Sequence, residues 1–112
     1  MIKVTVLFDS HVGNHYPIDS IVVNGHAGSG PYGHDLACAA VSAITFGGLN
    51  ALESGQNSYD VKIQEGHFEI KLKPGYDSSE NSNEVLHVVL TQLKTIAKSY
   101  PELVKVTEKF KD

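Results

Sequence analysis

The residues best equipped for chemistry are a cysteine and two histidines set around a glycine-rich segment. Cys38 is the only cysteine in the chain, so it has no partner for an intramolecular disulfide. It stands near the start of an apolar, small-residue run, Leu36-Ala-Cys-Ala-Ala-Val-Ser-Ala-Ile-Thr-Phe46. Before it lies Gly25-His-Ala-Gly-Ser-Gly-Pro-Tyr-Gly-His-Asp35, which places His26 and His34 close in sequence. A helix starting near Asp35 puts the thiol in its first turn, where unpaired N–H groups and the helix dipole favour a thiolate. An imidazole within hydrogen-bond reach then supplies the base. The pattern is that of an activated nucleophile.

Three chemistries compete for this segment. Gly28-Ser-Gly-Pro-Tyr-Gly33 satisfies the G-x-G-x-x-G phosphate-loop pattern. That pattern needs a parallel βαβ unit and an acidic residue further on, whereas hairpins flank this loop and no P-loop lysine follows. A metal site can be drawn from His34 and Cys38, four residues apart, with His26 and Asp35 added. Zinc sites usually show two close ligand pairs, and one cysteine among scattered histidines does not make them. The expectation is no metal. In the third reading Cys38 attacks a carbonyl, and His26 accepts the thiol proton and later protonates the leaving amine. Eleven residues separate the two, enough for a loop to fold back. N–H groups at the helix start around Cys38 offer an oxyanion hole.

The elements that must position these groups follow from hydrophobic period and punctuation. At 112 residues the chain reads as a single domain, 1–112, with no internal linker or low-complexity tract. Ile2, Val4, Val6 and Phe8 alternate as a first strand, and Ile18 to Asn24 is a second, forming a hairpin. Leu36 to Leu52 is a helix with Asp35 as N-cap, His34 being the other candidate. It is apolar or small on nearly every side, which predicts burial all round and suggests a homodimer interface. Gly47 and Gly48 within it allow close approach of a neighbour.

Tyr59 to Gln64 and His67 to Lys73 alternate as a second hairpin turning at Glu65-Gly66. Pro74 to Asn83 is loop, and Glu84 to Tyr100 is an amphipathic helix with Val85, Val89, Leu90, Leu93, Ile96 and Ala97 inward. Leu103 to Phe110 makes a last strand. The order β-β-α-β-β-α-β implies an α+β fold, two hairpins forming a mostly antiparallel sheet packed with two helices.

Hydrophobic residues make up 41% of the chain and charged residues 20%, ordinary for a globular domain. The net charge is −4 and arginine is absent, so no basic face is expected for nucleic acid and no bidentate phosphate clamp is available. No run of about 18 apolar residues predicts a membrane span. The amino terminus lacks the pattern of a signal peptide, and a single unpaired cysteine suits a reducing cytoplasm.

Gly25-His26-Ala27, followed by Tyr32-Gly33-His34-Asp35-Leu36-Ala37-Cys38-Ala39-Ala40-Val41-Ser42, closely resembles the bacterial family of ribosomal-processing cysteine proteases, Prp. The family pattern runs G-H-A, a glycine-rich loop, then G-x-D-[IL]-V-C-A-[AG]-x-S. The chain matches at Gly25, His26, Ala27, Gly33, Asp35, Leu36, Cys38, Ala39, Ala40 and Ser42. It departs at Ala37, where valine is common. The resemblance implies a cysteine endopeptidase that removes a short N-terminal extension from a large-subunit ribosomal protein of the L-twenty-seven type during ribosome assembly. It puts the nucleophile on Cys38 and the histidine on His26, and implies a homodimer, no cofactor, and a preference for aromatic or apolar residues ahead of the scissile bond.

Around that pair, Gly25, Asp35, Ser42, Tyr32 and His34 are read as supporting or substrate-binding. Asp35 caps and fixes the loop, Tyr32 and His34 line the cleft, and Ser42 hydrogen-bonds near the nucleophile or to the carbonyl four residues earlier. Gly28, Ser29, Gly30 and Gly33 form a flexible loop expected to close over a peptide. His11, His15, His67 and His87 carry no signal beyond surface or strand polarity. The competing class is a non-enzymatic ribosome-associated binding module in which Cys38 is a packed small hydrophobe.

Overall fold

The computed structural model describes residues 1–9, 16–25, 34–52 and 58–111, with the backbone alone at His34 and Asp35. His26, Tyr32 and the loop glycines Gly28, Gly30 and Gly33, with Ser29, lie outside the described residues. So does the expected closure of that loop.

The strands form where β-branched and aromatic residues alternate. β1 (Ile2–Phe8) and β2 (Ile18–Asn24) pair antiparallel, Val4 opposite Val23 and Val6 opposite Ile21. β3 (Tyr59–Gln64) and β4 (His67–Leu72) form the second hairpin, and β4 pairs antiparallel with β2. β5 (Val104–Phe110) runs parallel to β1. The sheet order is β3-β4-β2-β1-β5, so three pairings are antiparallel and one is parallel. The element order is β-β-α-β-β-α-β, the α+β arrangement expected from the sequence.

Two helices cover one face of this sheet. Ile2, Val4, Val6, Ile21, Val23, Phe68, Ile70 and Val104 point toward them and are buried. α1 (His34–Ala51) starts two residues earlier than the periodicity predicts. His34 and Asp35 therefore both lie inside its first turn, and neither is the N-cap. α2 (Glu80–Ser99) starts four residues earlier than predicted, because Ser79 caps it: the Ser79 side chain accepts from the Ser82 N–H at 3.1 Å. Leu86, Val89, Leu90 and Leu93 form its buried stripe. Leu86, which the periodicity did not include, stands at the centre of that stripe, and Val85 packs partly buried at its margin.

The expectation that α1 is buried all round is corrected. α1 buries one stripe, Ala37, Val41, Thr45, Gly48 and Leu52 just beyond its end, and leaves Leu36, Ala43 and Phe46 exposed. A helix lying on a single sheet face with one neighbouring helix has partners on only part of its circumference. Of the two glycines, Gly48 does admit close approach: a Cβ there would sit 2.3 Å from Cγ2 of Val89 on α2. Gly47 has nothing within 4 Å.

The end of the sheet far from Cys38 is tied by aromatics. Tyr16 stacks edge-on against Phe8 and Phe110, and Nε2 of His87 on α2 donates to the Tyr16 carbonyl at 2.6 Å. Among the described residues, no helix is long and apolar enough to cross a membrane.

Candidate active site

Cys38 is half-buried on α1 and opens into a cleft between that helix and the β3–β4 hairpin. Ser42 and Phe46 follow it at four-residue spacing, so one face of α1 forms a wall. Val23 and Gly25 at the end of β2, Ile63 and Gln64 of β3, and Phe68 of β4 form the rest. The cleft is half open to solvent and its volume is about 110 Å³. An engineered apolar cavity of ~150 Å³ admits benzene, so this one is on the scale of a single small side chain.

Gly25 follows directly on β2. Its φ of +93° lies where only glycine is comfortable, and its N–H donates to the Gly66 carbonyl at 2.9 Å. A Cβ there would stand 2.2 Å from the Met1 carbonyl oxygen. Gly25 is thus held at the cleft wall, and His26 is the next residue in sequence.

Cys38 is the fifth residue of α1, so its own N–H points back to the His34 carbonyl inside the helix. The unpaired N–H donors belong to the turn before it. The oxyanion donors expected around Cys38 therefore sit earlier in the chain than its own amide.

Ser42 is exposed and lines the cleft. Among the described residues its hydroxyl has no hydrogen-bond partner. The back-bond inside this helix is made instead by Thr45, whose Oγ1 donates to the carbonyls of Val41 at 3.0 Å and Ser42 at 3.2 Å. His67 also borders the cleft, yet its side chain faces elsewhere. Side chains alternate along a strand, and Phe68, Ile70 and Leu72 face the helices, so His67 and Glu69 face the open side. There the His67 ring meets the side chains of Asn24, its cross-strand neighbour, and Glu69, the latter at 3.2 Å. Among the described residues, no three His, Cys, Asp or Glu side chains gather where they could hold a metal.

Phe46, Ile63, Gln64 and Phe68 are cleft residues that site reasoning from the sequence did not single out. Phe46 packs edge-on against Phe68, ring centres 5.7 Å apart. The available signal was the spacing of Cys38, Ser42 and Phe46. The hairpin's contribution depends on tertiary placement.

A half-buried thiol near a helix start, in a cleft sized for a side chain, invites comparison with known proteases. The family model described as cysteine protease Prp matches residues 1–105. The chain belongs to the Prp family of cysteine proteases. The Prp ribosomal processing cysteine protease of Staphylococcus aureus (strain Mu50 / ATCC 700699) is 30% identical over 107 residues, covering 93% of this chain and 99% of its own length. That of Mycoplasma pneumoniae (strain ATCC 29342 / M129 / Subtype 1) is 35% identical over 112 residues, covering 100% and 99%. The crystal structure of S. aureus Prp in complex with a substrate peptide superposes with a TM-score of 0.79 at 28% identity, over 97% of this chain and 100% of that one. The structure of SMU.848 from Streptococcus mutans gives 0.80 at 28% identity, over 99% and 96%. The reaction class is that of a cysteine-type endopeptidase, and the Prp family carries the ribosomal-processing role.

Proposed function

We propose that this Prp-family protease removes the short N-terminal extension of a large-subunit ribosomal protein of the L-twenty-seven type, with Cys38 as nucleophile and His26 as general base and acid. The observation that carries the pairing is the cleft itself: Cys38 forms one wall and Gly25, immediately before His26, another. The net charge of −4 suits a basic ribosomal substrate. The related S. aureus enzyme was captured with a substrate peptide.

In this reading the Cys38 proton passes to the His26 imidazole, and sulfur attacks the scissile carbonyl carbon. The tetrahedral oxyanion is held by N–H donors of the loop-to-helix junction that includes Asp35. Its collapse breaks the C–N bond, and the imidazolium protonates the departing amine. Water, deprotonated by the same imidazole, then hydrolyses the thioester and restores the thiol. Ser42, Tyr32 and His34 contact the peptide, and the loop of Gly28, Ser29, Gly30 and Gly33 closes over it. No cofactor is required.

The protease acts in the cytoplasm, as a homodimer. An exposed apolar groove between α1 and α2, lined by Ala43, Ile44, Gly47, Val85 and Val88, favours self-association. A stable monomer in sedimentation at micromolar concentration would oppose the dimer.

The deciding experiment incubates the protein and its Cys38→Ala variant with the full-length extended ribosomal protein, with products read by mass spectrometry. Release of one defined N-terminal peptide by the wild type alone is expected. Cleavage by both, or by neither, overturns the assignment.

A further inference from the structure

Among the described residues the sheet ends in two edges, β3 and β5, and of these only β3 reaches the nucleophile's cleft. We propose that the outer edge of β3 is a docking strand for the substrate polypeptide, which adds alongside it as a sixth, extended strand and so presents its scissile carbonyl to Cys38. The proposal rests on the protease reading above and specifies how that site recognises its substrate.

Three observations point to it. The first is hydrogen-bond parity. Lys73 N–H donates to the Ser58 carbonyl at 2.8 Å, and Gln64 faces His67 across the hairpin turn. In an antiparallel pair, bonded and non-bonded positions alternate. Residues 58, 60, 62 and 64 therefore spend their N–H and C=O groups on β4, while Val61 and Ile63 turn theirs outward. Among the described residues, β3 pairs only with β4.

The second is continuity. Ile63 and Gln64 belong both to this edge and to the wall of the Cys38 cleft. A chain paired at Ile63 is already in the cleft, and one reaching back to Tyr59 spans about 13 Å at ~3.3 Å per residue.

The third is the side-chain surface. Val61 and Ile63 sit on the helix side of the sheet, opposite buried Ile70 and Phe68, yet are 39% and 47% exposed because α1 does not cover them. Together with Phe46 they offer apolar contacts to alternate side chains of an added strand. The charges of β3, Asp60 and Lys62, fall on the opposite face from Val61 and Ile63 by strand alternation, so they leave this apolar face clear. The other edge, β5, bears Lys105, Glu108 and Lys109, with Glu108 paired to Lys94 at 3.3 Å, and none of its described residues lines the Cys38 cleft.

The occupant is accordingly a segment of at least about four residues that is free of secondary structure, with apolar side chains at alternate positions. A helical or already paired segment has its backbone groups engaged and is refused. This selects an unstructured tail over the folded body of the same ribosomal protein.

Amide hydrogen exchange on the full-length protein, resolved by residue, tests this. Cys38 is alkylated by a peptidyl chloromethyl ketone bearing four extended apolar residues, a probe independent of the natural substrate's identity. The expected result is at least tenfold slower exchange at Val61 and Ile63, with Lys62, already bonded to β4, unchanged. Complete alkylation with unchanged exchange at Val61 and Ile63 overturns the docking strand and leaves Cys38 as nucleophile. Failure to alkylate Cys38 overturns the nucleophile assignment, and the docking strand with it. Protection of Val61 and Ile63 in the unlabelled protein, relieved on dilution, assigns the edge to a second copy of the chain and also overturns the proposal.

Discussion

Replacing Gly25 by alanine tests whether the conformation at the end of β2 positions the proposed base, His26. Two costs add at this position. A φ of +93° costs an L-residue roughly 1–2 kcal/mol. The new Cβ would also stand 2.2 Å from the Met1 carbonyl oxygen, well inside contact distance. That oxygen cannot retreat freely, because the next residue, Ile2, is buried and its N–H donates to the Leu103 carbonyl at 2.7 Å. Relieving such an overlap costs roughly 1–3 kcal/mol. The sum, about 2–5 kcal/mol, is less than the upper part of the ordinary stability range of about 5–15 kcal/mol. Gly25→Ala therefore folds, weakened, with the chain beyond residue 25 redirected. Misplacing a reacting group by about 1 Å lowers rates by on the order of 100-fold. Gly75→Ala is the control: its φ is +82° with nothing within 4 Å of the added Cβ, so only the dihedral cost of roughly 1–2 kcal/mol applies. Urea unfolding gives both stabilities, and cleavage of the extended ribosomal protein gives both rates. The expected result is a larger stability loss for Gly25→Ala, with a rate loss of about 100-fold, while Gly75→Ala cleaves normally. Equal stability losses, or full cleavage by Gly25→Ala, would refute the reasoning.

Other substitutions probe the packing and the cleft. Gly48→Ala drives its Cβ to 2.3 Å from Val89 Cγ2, and the overpacking outweighs the helix-propensity gain, for a net loss of about 1–2 kcal/mol; Gly47→Ala, in open space, gains about 1 kcal/mol, so urea midpoints should move in opposite directions. Phe46→Ala removes the edge-on contact with Phe68 and a cleft wall, raising KM about tenfold with kcat little changed, as steady-state cleavage will read. Burial pushes the Tyr59 phenol above its usual value, and the Asp19 carboxylate adds to that push while the Ser78 side chain opposes it. The folded state thus holds the proton more tightly, so this contribution is complete below about pH 10 and is lost as pH rises through the raised value. Tyr59→Phe should flatten the alkaline fall in the urea midpoint, and an unchanged fall would exclude Tyr59 as its source.

The sequence by itself determined the strands, the helix carrying Cys38 and the order of elements. Ile2 to Phe8 and Ile18 to Asn24 alternate as half-buried strands must, and the hairpin at Glu65-Gly66 is bounded by clear turn residues. The Gly25-His26-Ala27 and Asp35–Ser42 motifs pointed to the protease family because they are local in sequence. Helix starts were less legible. Ser79 lies in a serine- and asparagine-rich stretch where several residues are possible caps, and only the hydrogen bond to the Ser82 N–H selects one.

Tertiary structure alone decided what periodicity cannot encode. Nearly every face of α1 is apolar or small, so its periodicity barely marks the stripe that meets the sheet; packing against α2 and β2 chose Ala37, Val41, Thr45 and Gly48 and left Phe46 in the cleft. The β3–β4 hairpin enters the Cys38 cleft only because β4 pairs with β2, a long-range pairing that neither strand's own sequence specifies. Local sequence fixed which residues can do chemistry, because backbone propensity and motif act over a few residues. Which surfaces surround the thiol was settled by sheet order, since burial depends on what the rest of the chain brings alongside.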